Sequence, residues 1–129
     1  MRPIIVALAL IIISPLSHAD EQVFVGNNQV SEVDYHSYYF GRVPVNQMST
    51  TRFVVTNTGD SGLTFESAYI SGVGYSAWHT CENGLRPQEK CSFEIRYWPP
   101  FTGIHSGRFQ LNFAEESSVV IDLMGEGYR

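Results

Sequence analysis

Ser92-Phe93-Glu94-Ile95-Arg96-Tyr97 alternates small or charged side chains with large apolar ones. Successive side chains of an extended strand point to opposite faces, so Phe93, Ile95 and Tyr97 share one face while Ser92, Glu94 and Arg96 share the other. Such a strand has one face in a core and one in water. Thr51-Arg52-Phe53-Val54-Val55-Thr56 reads the same way, with Thr51, Phe53 and Val55 on one side, and so does Arg108-Phe109-Gln110-Leu111-Asn112-Phe113. Residues Ala114 to Ser117 then make a hairpin into Val119, Ile121 and Leu123. Wet faces argue for antiparallel sheets, because parallel strands covered by helices read as continuous apolar runs.

Outward from these segments the composition agrees. Beyond residue 19 the only alanines are Ala68, Ala77 and Ala114, whereas the chain carries 7 Tyr, 8 Phe and 2 Trp, so helix formers are scarce and strand formers plentiful. Gly26-Asn27-Asn28, Asn57-Thr58-Gly59, Gly72-Val73-Gly74, Asn83-Gly84, Gly103 and Gly107 punctuate the chain as turns do. No stretch has the 3.6-residue period of a helix of three turns. Short strands separated by frequent turns predict an all-β sandwich of about seven antiparallel strands. Val23 to Val25 would be a short edge strand, broken by Gly26-Asn27-Asn28-Gln29. With 129 residues, 43% hydrophobic and 16% charged, the chain has material for one domain and not for two or for a repeat array.

The N-terminus has a different character. Arg2 precedes an unbroken apolar run from Ile4 to Ile13, followed by Ser14, Pro15 and the small-residue stretch Ser17-His18-Ala19. That order predicts a cleaved secretory signal over residues 1–19, an N-terminal segment or edge strand over 20–33, and the sandwich domain over 34–129. Ten apolar residues are half of the roughly 20 that span a bilayer, so no permanent anchor is expected. No cysteine follows the run closely enough for lipidation, and no later apolar stretch is long enough to insert stably in a membrane. A periplasmic or secreted location follows.

The formal net charge is −5, and loss of Arg2 with the leader makes it one unit more negative. Arg42, Arg52, Arg86, Lys90, Arg96 and Arg108 are scattered singly. A nucleic-acid or anionic-membrane role needs a basic stripe, and neither is expected here. Cys81 and Cys91 are the only cysteines, and in an oxidising compartment one pair predicts one disulfide. A redox-active dithiol favours Cys-x-x-Cys at a helix N-terminus, a spacing these two lack.

Several motifs then fall in order: Tyr38-Tyr39-Phe40-Gly41-Arg42-Val43-Pro44-Val45; Thr56-Asn57-Thr58-Gly59 with Leu63-Thr64; Cys81, Leu85-Arg86-Pro87 and Cys91-Ser92-Phe93-Glu94-Ile95; Tyr97-Trp98-Pro99, Gly103 and Gly107-Arg108-Phe109; and Leu123-Met124-Gly125-Glu126-Gly127. Over residues 34 to 127 this series resembles the ASPM, SPD-2 and Hydin (ASH) type of immunoglobulin-like domain, in its bacterial exported, choice-of-anchor D-like form. The resemblance implies an immunoglobulin-like sandwich and a protein-binding or scaffolding role. The architecture also resembles the first domain of pilus chaperones, so a chaperone-like subunit-binding protein is the alternative, although no second domain or basic pair for a subunit carboxylate is evident.

Local chemistry supports the motifs. Asn57 and Gly59 can adopt left-handed conformations in a tight turn. Pro44 suits an edge strand, where its missing N–H breaks no ladder bond. Pro99 and Pro100 should end the strand before them, and Gly103 and Gly107 should bracket the turn into the next. Departures from the family pattern are Asn46 and Gln88 in place of glycines, and Trp98 in place of a small polar residue. Asn46 tolerates a left-handed backbone, while Gln88 suggests that the loop between the cysteines turns differently.

Chemistry-bearing constellations are thin. His36, His79 and His105 remain after the leader, and His79-Thr80-Cys81 places two ligand types on one strand face, but a zinc site needs three or four ligands and Cys81 is claimed by the disulfide. Gly74-Tyr75-Ser76-Ala77-Trp78 begins like a nucleophile elbow without its second glycine. Asp34, Glu66, Glu94 and Asp122 fall on strand faces or ends, as solvating carboxylates do. No phosphate cradle is present. No catalytic residue, metal or cofactor is therefore expected; a small periplasmic metal-binding protein or enzyme is the remaining alternative. The aromatics stand out instead. If Tyr38 and Phe40 face inward as the resemblance implies, Tyr35 and Tyr39 point outward, and Trp98 lies opposite the inward Tyr97. Tyr35, Tyr39, Trp78 and Trp98 are the candidate partner-binding residues, read either as an interface or as rings that seal the ends of a core. The edge from Tyr35 to Phe40 offers strand addition as a second route.

Overall fold

A computed structural model of the chain describes residues 20–25, 32–115 and 117–129, with side chains from residue 33 onward. The expected leader lies outside the described residues. Those residues form eight strands and no helix: β1 (Asp20–Val25), β2 (Glu32–Pro44), β3 (Ser49–Asn57), β4 (Phe65–Gly72), β5 (Tyr75–His79), β6 (Lys90–Tyr97), β7 (Gly103–Phe113) and β8 (Ser117–Tyr128). Two four-stranded sheets, ordered β1-β3-β6-β5 and β2-β8-β7-β4, make the sandwich. The ladders β3–β6, β5–β6, β4–β7 and β7–β8 are antiparallel, as the alternation predicts. At one side of each sheet the direction changes, because β1 joins β3 and β2 joins β8 in parallel. Alternation records which face of a strand is buried and carries no information on the direction of its neighbour, so these two pairings were not readable from the pattern.

The core is what the alternation describes. Phe93, Ile95 and Tyr97 from one sheet meet Phe109, Leu111 and Phe113 from the other, all at most 2% exposed. Phe93 lies at the centre, stacked on Phe53 (centroids 5.1 Å apart) and on Phe109 (4.3 Å). Tyr38 and Phe40 of β2 turn inward, Tyr38 against Phe53 and Phe40 against Tyr75 and Tyr97. At that end Tyr75 and Tyr97 stack at 4.7 Å, the Tyr97 hydroxyl pairs with His105 Nδ1 at 2.6 Å, and the Tyr75 hydroxyl donates to the His105 carbonyl at 2.9 Å. Burial, with Tyr97 beside it, holds the Tyr75 phenol protonated well above its usual range.

Several local expectations are corrected. Asp34 does not solvate the sheet: it is 5% exposed on the inward side of β2, with His36 two residues on, because residues 34, 36, 38 and 40 share a parity and Tyr38 and Phe40 fix which side is inside. Gly103 and Gly107 do not bracket a turn, since β7 starts at Gly103 and runs through Gly107. A Cβ on Gly107 would meet the Ser71 carbonyl and the Tyr75 ring, so glycine there lets β4 and the Tyr75 ring approach the strand. Neither Asn57 nor Gly59 is left-handed. Asn57 acts through its buried side chain instead, donating to the carbonyls of Ser61 (2.8 Å) and Leu85 (3.1 Å) and accepting from the Gly59 N–H (2.9 Å).

Gln88 also reverses expectation, since its φ of 70° retains the left-handed turn of a glycine, as does Asn46 at 66°. The Gln88 N–H donates to the Asn57 carbonyl at 2.8 Å and the Asn57 N–H to the Glu89 carbonyl at 3.0 Å, and these bonds hold the turn against the preference of the residue. A left-handed non-glycine residue costs about 1 kcal/mol or more. Gln88→Gly is therefore expected to raise the melting temperature by about 4 °C, an increment that thermal unfolding followed by circular dichroism resolves. Pro44 ends the edge strand β2, and Pro99 and Pro100 follow the end of β6 as predicted.

Candidate protein-binding surface

The four aromatic candidates all lie in solvent: Tyr35 is 67% exposed, Tyr39 58%, Trp78 58% and Trp98 56%. None fills the core. They do not form one surface. Tyr35 and Tyr39 share the outer face of β2-β8-β7-β4, Trp78 lies on the outer face of the opposite sheet, and Trp98 sits in the loop after β6 at one end of the sandwich.

Register builds the face around Tyr35 and Tyr39. Across the sheet the outward positions run Tyr35, Val120, Gln110, Tyr69 in one row, Ser37, Asp122, Arg108, Ser71 in the next, and Tyr39, Met124, Ser106 in a third, with Val120 itself buried. Tyr69 and Met124 are also exposed, and the Tyr69 hydroxyl donates to Gln110 Oε1 at 3.0 Å. In the middle row Arg108 Nε donates to Asp122 Oδ1 at 2.8 Å. That bond raises the pKa of the Arg108 guanidinium, and the centre of the face is a half-exposed ion pair of zero net charge flanked by rings. Between Ser37, Tyr39, Asp122 and Met124 lies a shallow depression of about 320 Å³. Beyond the bulge in the same pair of strands, Arg42 lies over the Tyr128 ring (4.4 Å) with Glu126 at 3.8 Å.

Trp78 borders a second depression of about 400 Å³ with Ser76, Glu94 and Arg96, where Glu94 and Arg96 pair at 3.5 Å. Trp98 belongs to an apolar end that the motifs of the sequence did not single out. The Asn46 N–H donates to the Pro99 carbonyl (2.9 Å) and the Trp98 N–H to the Gly74 carbonyl (2.8 Å), which gathers three loops carrying the exposed Met48, Val73 and Phe101. Met124, beside Tyr39 on β8, and Tyr69, at the far end of the Tyr35 row on β4, were also missed. Parity gives the signal for both, since Met124 follows the inward Leu123 and Tyr69 sits between Ala68 and Ile70.

The chemistry-bearing groups are dispersed. His36 and His105 are buried at separate places in the core, and burial pushes the His36 imidazole below its usual pKa. His79 Nδ1 accepts the Cys81 N–H at 3.0 Å, and Cys81 is bonded to Cys91, with Cα atoms 5.1 Å apart. Among the described residues no group of three or more His, Cys, Asp or Glu is placed to hold a metal ion, and no helix is long and apolar enough to cross a membrane. Ser76 points outward from β5 beside Trp78, Glu94 and Arg96.

Two facing sheets with a disulfide beside one end define an immunoglobulin-like domain whose distinctive surface is an aromatic sheet face. Residues 30–126 match the HYDIN/CFA65/VesB-like Ig-like domain, and the chain belongs to that family. Among solved structures it is similar to the VesB protease of Vibrio cholerae (TM-score 0.57, 15% identity, 70% of this chain and 30% of that one). It is also similar to the secreted serine protease VesC of the same organism (0.56, 16%, 69% and 21%). The ASH/PapD-like domain 7 of human CEP192 is a third likeness (0.52, 10%, 72% and 81%). The chain thus spans under a third of either protease, and at these identities the likeness is one of fold. No curated protein sequence matches the chain.

Proposed function

We propose that this domain is an exported, non-enzymatic protein-binding or scaffolding module that engages its partner through the outer face of β2-β8-β7-β4, with Tyr35 and Tyr39 as anchors. The observation that carries the reading is the grouping of Tyr35, Tyr39, Tyr69 and Met124 around the Arg108–Asp122 pair on one sheet face. Exposed tyrosines and methionines are enriched where proteins meet, and a paired charge between them adds specificity at little desolvation cost. Family membership supports an interaction role by analogy of fold. Export is supported by the leader motif of residues 1–19 and by the Cys81–Cys91 bridge, which persists in oxidising compartments.

The test is capture from the native envelope or medium with identification by mass spectrometry, then titration of the identified protein. Tyr35→Ala/Tyr39→Ala is expected to weaken that complex about 100-fold, as loss of two aromatic anchors does, while the melting temperature moves little. Trp78→Ala should leave the affinity unchanged. Equal affinity in the Tyr35/Tyr39 variant, or equal loss in Trp78→Ala, would rule this face out as the binding surface.

A further inference from the structure

The apolar end that carries Trp98 lies apart from the sheet face. Met48, Val73, Trp98, Phe101 and Ile104 are each at least half exposed there, on three loops and the start of β7. The loops are packed on one another: a Cβ on Gly74 would meet the Trp98 carbonyl and the Pro100 ring, a Cβ on Gly127 would meet Pro99 and the Phe101 carbonyl, and the Phe101 ring stands edge-on to His105 at 4.9 Å. A cluster of exposed apolar side chains marks a surface that meets a protein or a membrane.

Charge is absent from these loops. Val45-Asn46-Gln47-Met48-Ser49-Thr50, Gly72-Val73-Gly74 and Trp98-Pro99-Pro100-Phe101-Thr102-Gly103-Ile104 contain no Asp, Glu, Lys or Arg, in a chain with 13 acidic and 8 basic residues. At the border Glu126 is paired with Arg42, and Arg129 follows Tyr128, whose carbonyl accepts the Val45 N–H. The acidic excess therefore lies on the rest of the molecule.

Chain direction identifies what this end faces. β1 runs parallel to β3 with Asp20 opposite Arg52, and β3 starts at Ser49 opposite Tyr97, so the chain enters the sandwich at the end where Met48 and Trp98 stand. Asp20 and Glu21 come in level with Arg52 and Phe53, behind the loops. Only residues 14–19 separate Asp20 from the apolar run Ile4 to Ile13, a link that spans about 20 Å at full extension. An export leader partitions into the bilayer, and while it is there this end is kept beside the membrane surface. Trp is favoured at the membrane–water interface, and Phe, Ile, Val and Met side chains gain by leaving water. The acidic surfaces elsewhere are turned away from an anionic leaflet.

We propose that this end is a peripheral membrane-contact site, at which Met48, Val73, Trp98, Phe101 and Ile104 enter the interfacial region of a phospholipid bilayer reversibly while the outer face of β2-β8-β7-β4 stays open. The contact is apolar and needs no basic stripe. It rests on the leader part of the function proposed above and not on the sheet face.

Protein produced from the full sequence, in the form the cell yields, is mixed with vesicles of phosphatidylcholine alone or with phosphatidylglycerol added. The chain has 2 Trp, so Trp78→Phe leaves Trp98 as the sole reporter and Trp98→Phe leaves Trp78. Vesicles should shift the Trp98 emission to shorter wavelength, and lipids brominated on their acyl chains should quench it, with Trp78 unchanged and with no dependence on salt or phosphatidylglycerol. Adding Met48→Asp/Ile104→Asp should raise the lipid concentration for half-maximal quenching of Trp98 about tenfold, as expected for the loss of buried apolar side chains, while the melting temperature moves little. No lipid-dependent change at Trp98, equal quenching of both tryptophans, or quenching confined to the anionic vesicles and lost in salt would each overturn the inference. A Trp98 shift that follows protein concentration and not lipid would give this end to a protein contact and overturn it as well. The vesicle measurement needs neither export nor a protein partner, so its failure is read apart from theirs.

Discussion

Phe93→Ala is expected to destabilise the domain by about 4 kcal/mol, at the upper end of what a single core truncation costs. Phe93 is fully buried and stacks on Phe53 of its own sheet and Phe109 of the other, so its removal opens a void between the two sheets. The loss combines the transfer free energy of the ring with unfilled space that rigid strands on both sides cannot close. Domains of this size hold only about 5–15 kcal/mol in total, so the variant should melt roughly 20 °C lower or fail to accumulate. Thermal unfolding decides it, with Trp78→Ala as control: Trp78 is 58% exposed and its loss should fall within about 0.5 kcal/mol. A Phe93 variant as stable as the control would mean that the two sheets do not meet at this ring.

The disulfide gives the second large effect. Cys81 and Cys91 are ten residues apart, and closing a loop of that length removes about 3 kcal/mol of unfolded-state entropy. Replacing both cysteines by alanine, or adding reductant, should lower the melting temperature by about 15 °C. Folding should survive, because the loop is also held by the Leu63–Leu85 bridge and by the bonds of Asn57 to its backbone. An unchanged melting temperature in reductant would show that the bridge adds nothing to the fold. The effect also bears on location, since a domain that leans on a disulfide retains full stability only where thiols oxidise.

The strands that alternate strictly were legible in the sequence. Phe93, Ile95 and Tyr97, with Phe109, Leu111 and Phe113, fall inside as parity requires, and the motif order led to the immunoglobulin-like family. Features that depend on distant partners were not legible. The parallel pairings of β1 with β3 and of β2 with β8 arise from how the chain crosses between sheets, and the glycine at 107 serves the Tyr75 ring of another strand. Gln88 adopts a left-handed turn because Asn57, 31 positions earlier, accepts its N–H, a contact no local rule contains. Asp34 is buried because its strand's parity is set by Tyr38 and Phe40, which local polarity contradicts.

The candidate surface was legible in part for the same reason. Parity showed that Tyr35 and Tyr39 point outward together. It could not show that Trp78 and Trp98 lie on other surfaces, or that Tyr69 and Met124 lie in the rows of Tyr35 and Tyr39, since those relations require the strand order. The face is thus narrower in its aromatics than the sequence suggested and wider in its strands.

The central claim is that one sheet face, and not the aromatic surface at large, binds a partner. A photo-crosslinking amino acid placed at position 39 or at position 78, and activated in the native envelope, tests it most directly. A defined adduct with one other protein is predicted from position 39 and none from position 78. Matching adducts from both positions, or adducts at position 39 only with the chain itself, would contradict it.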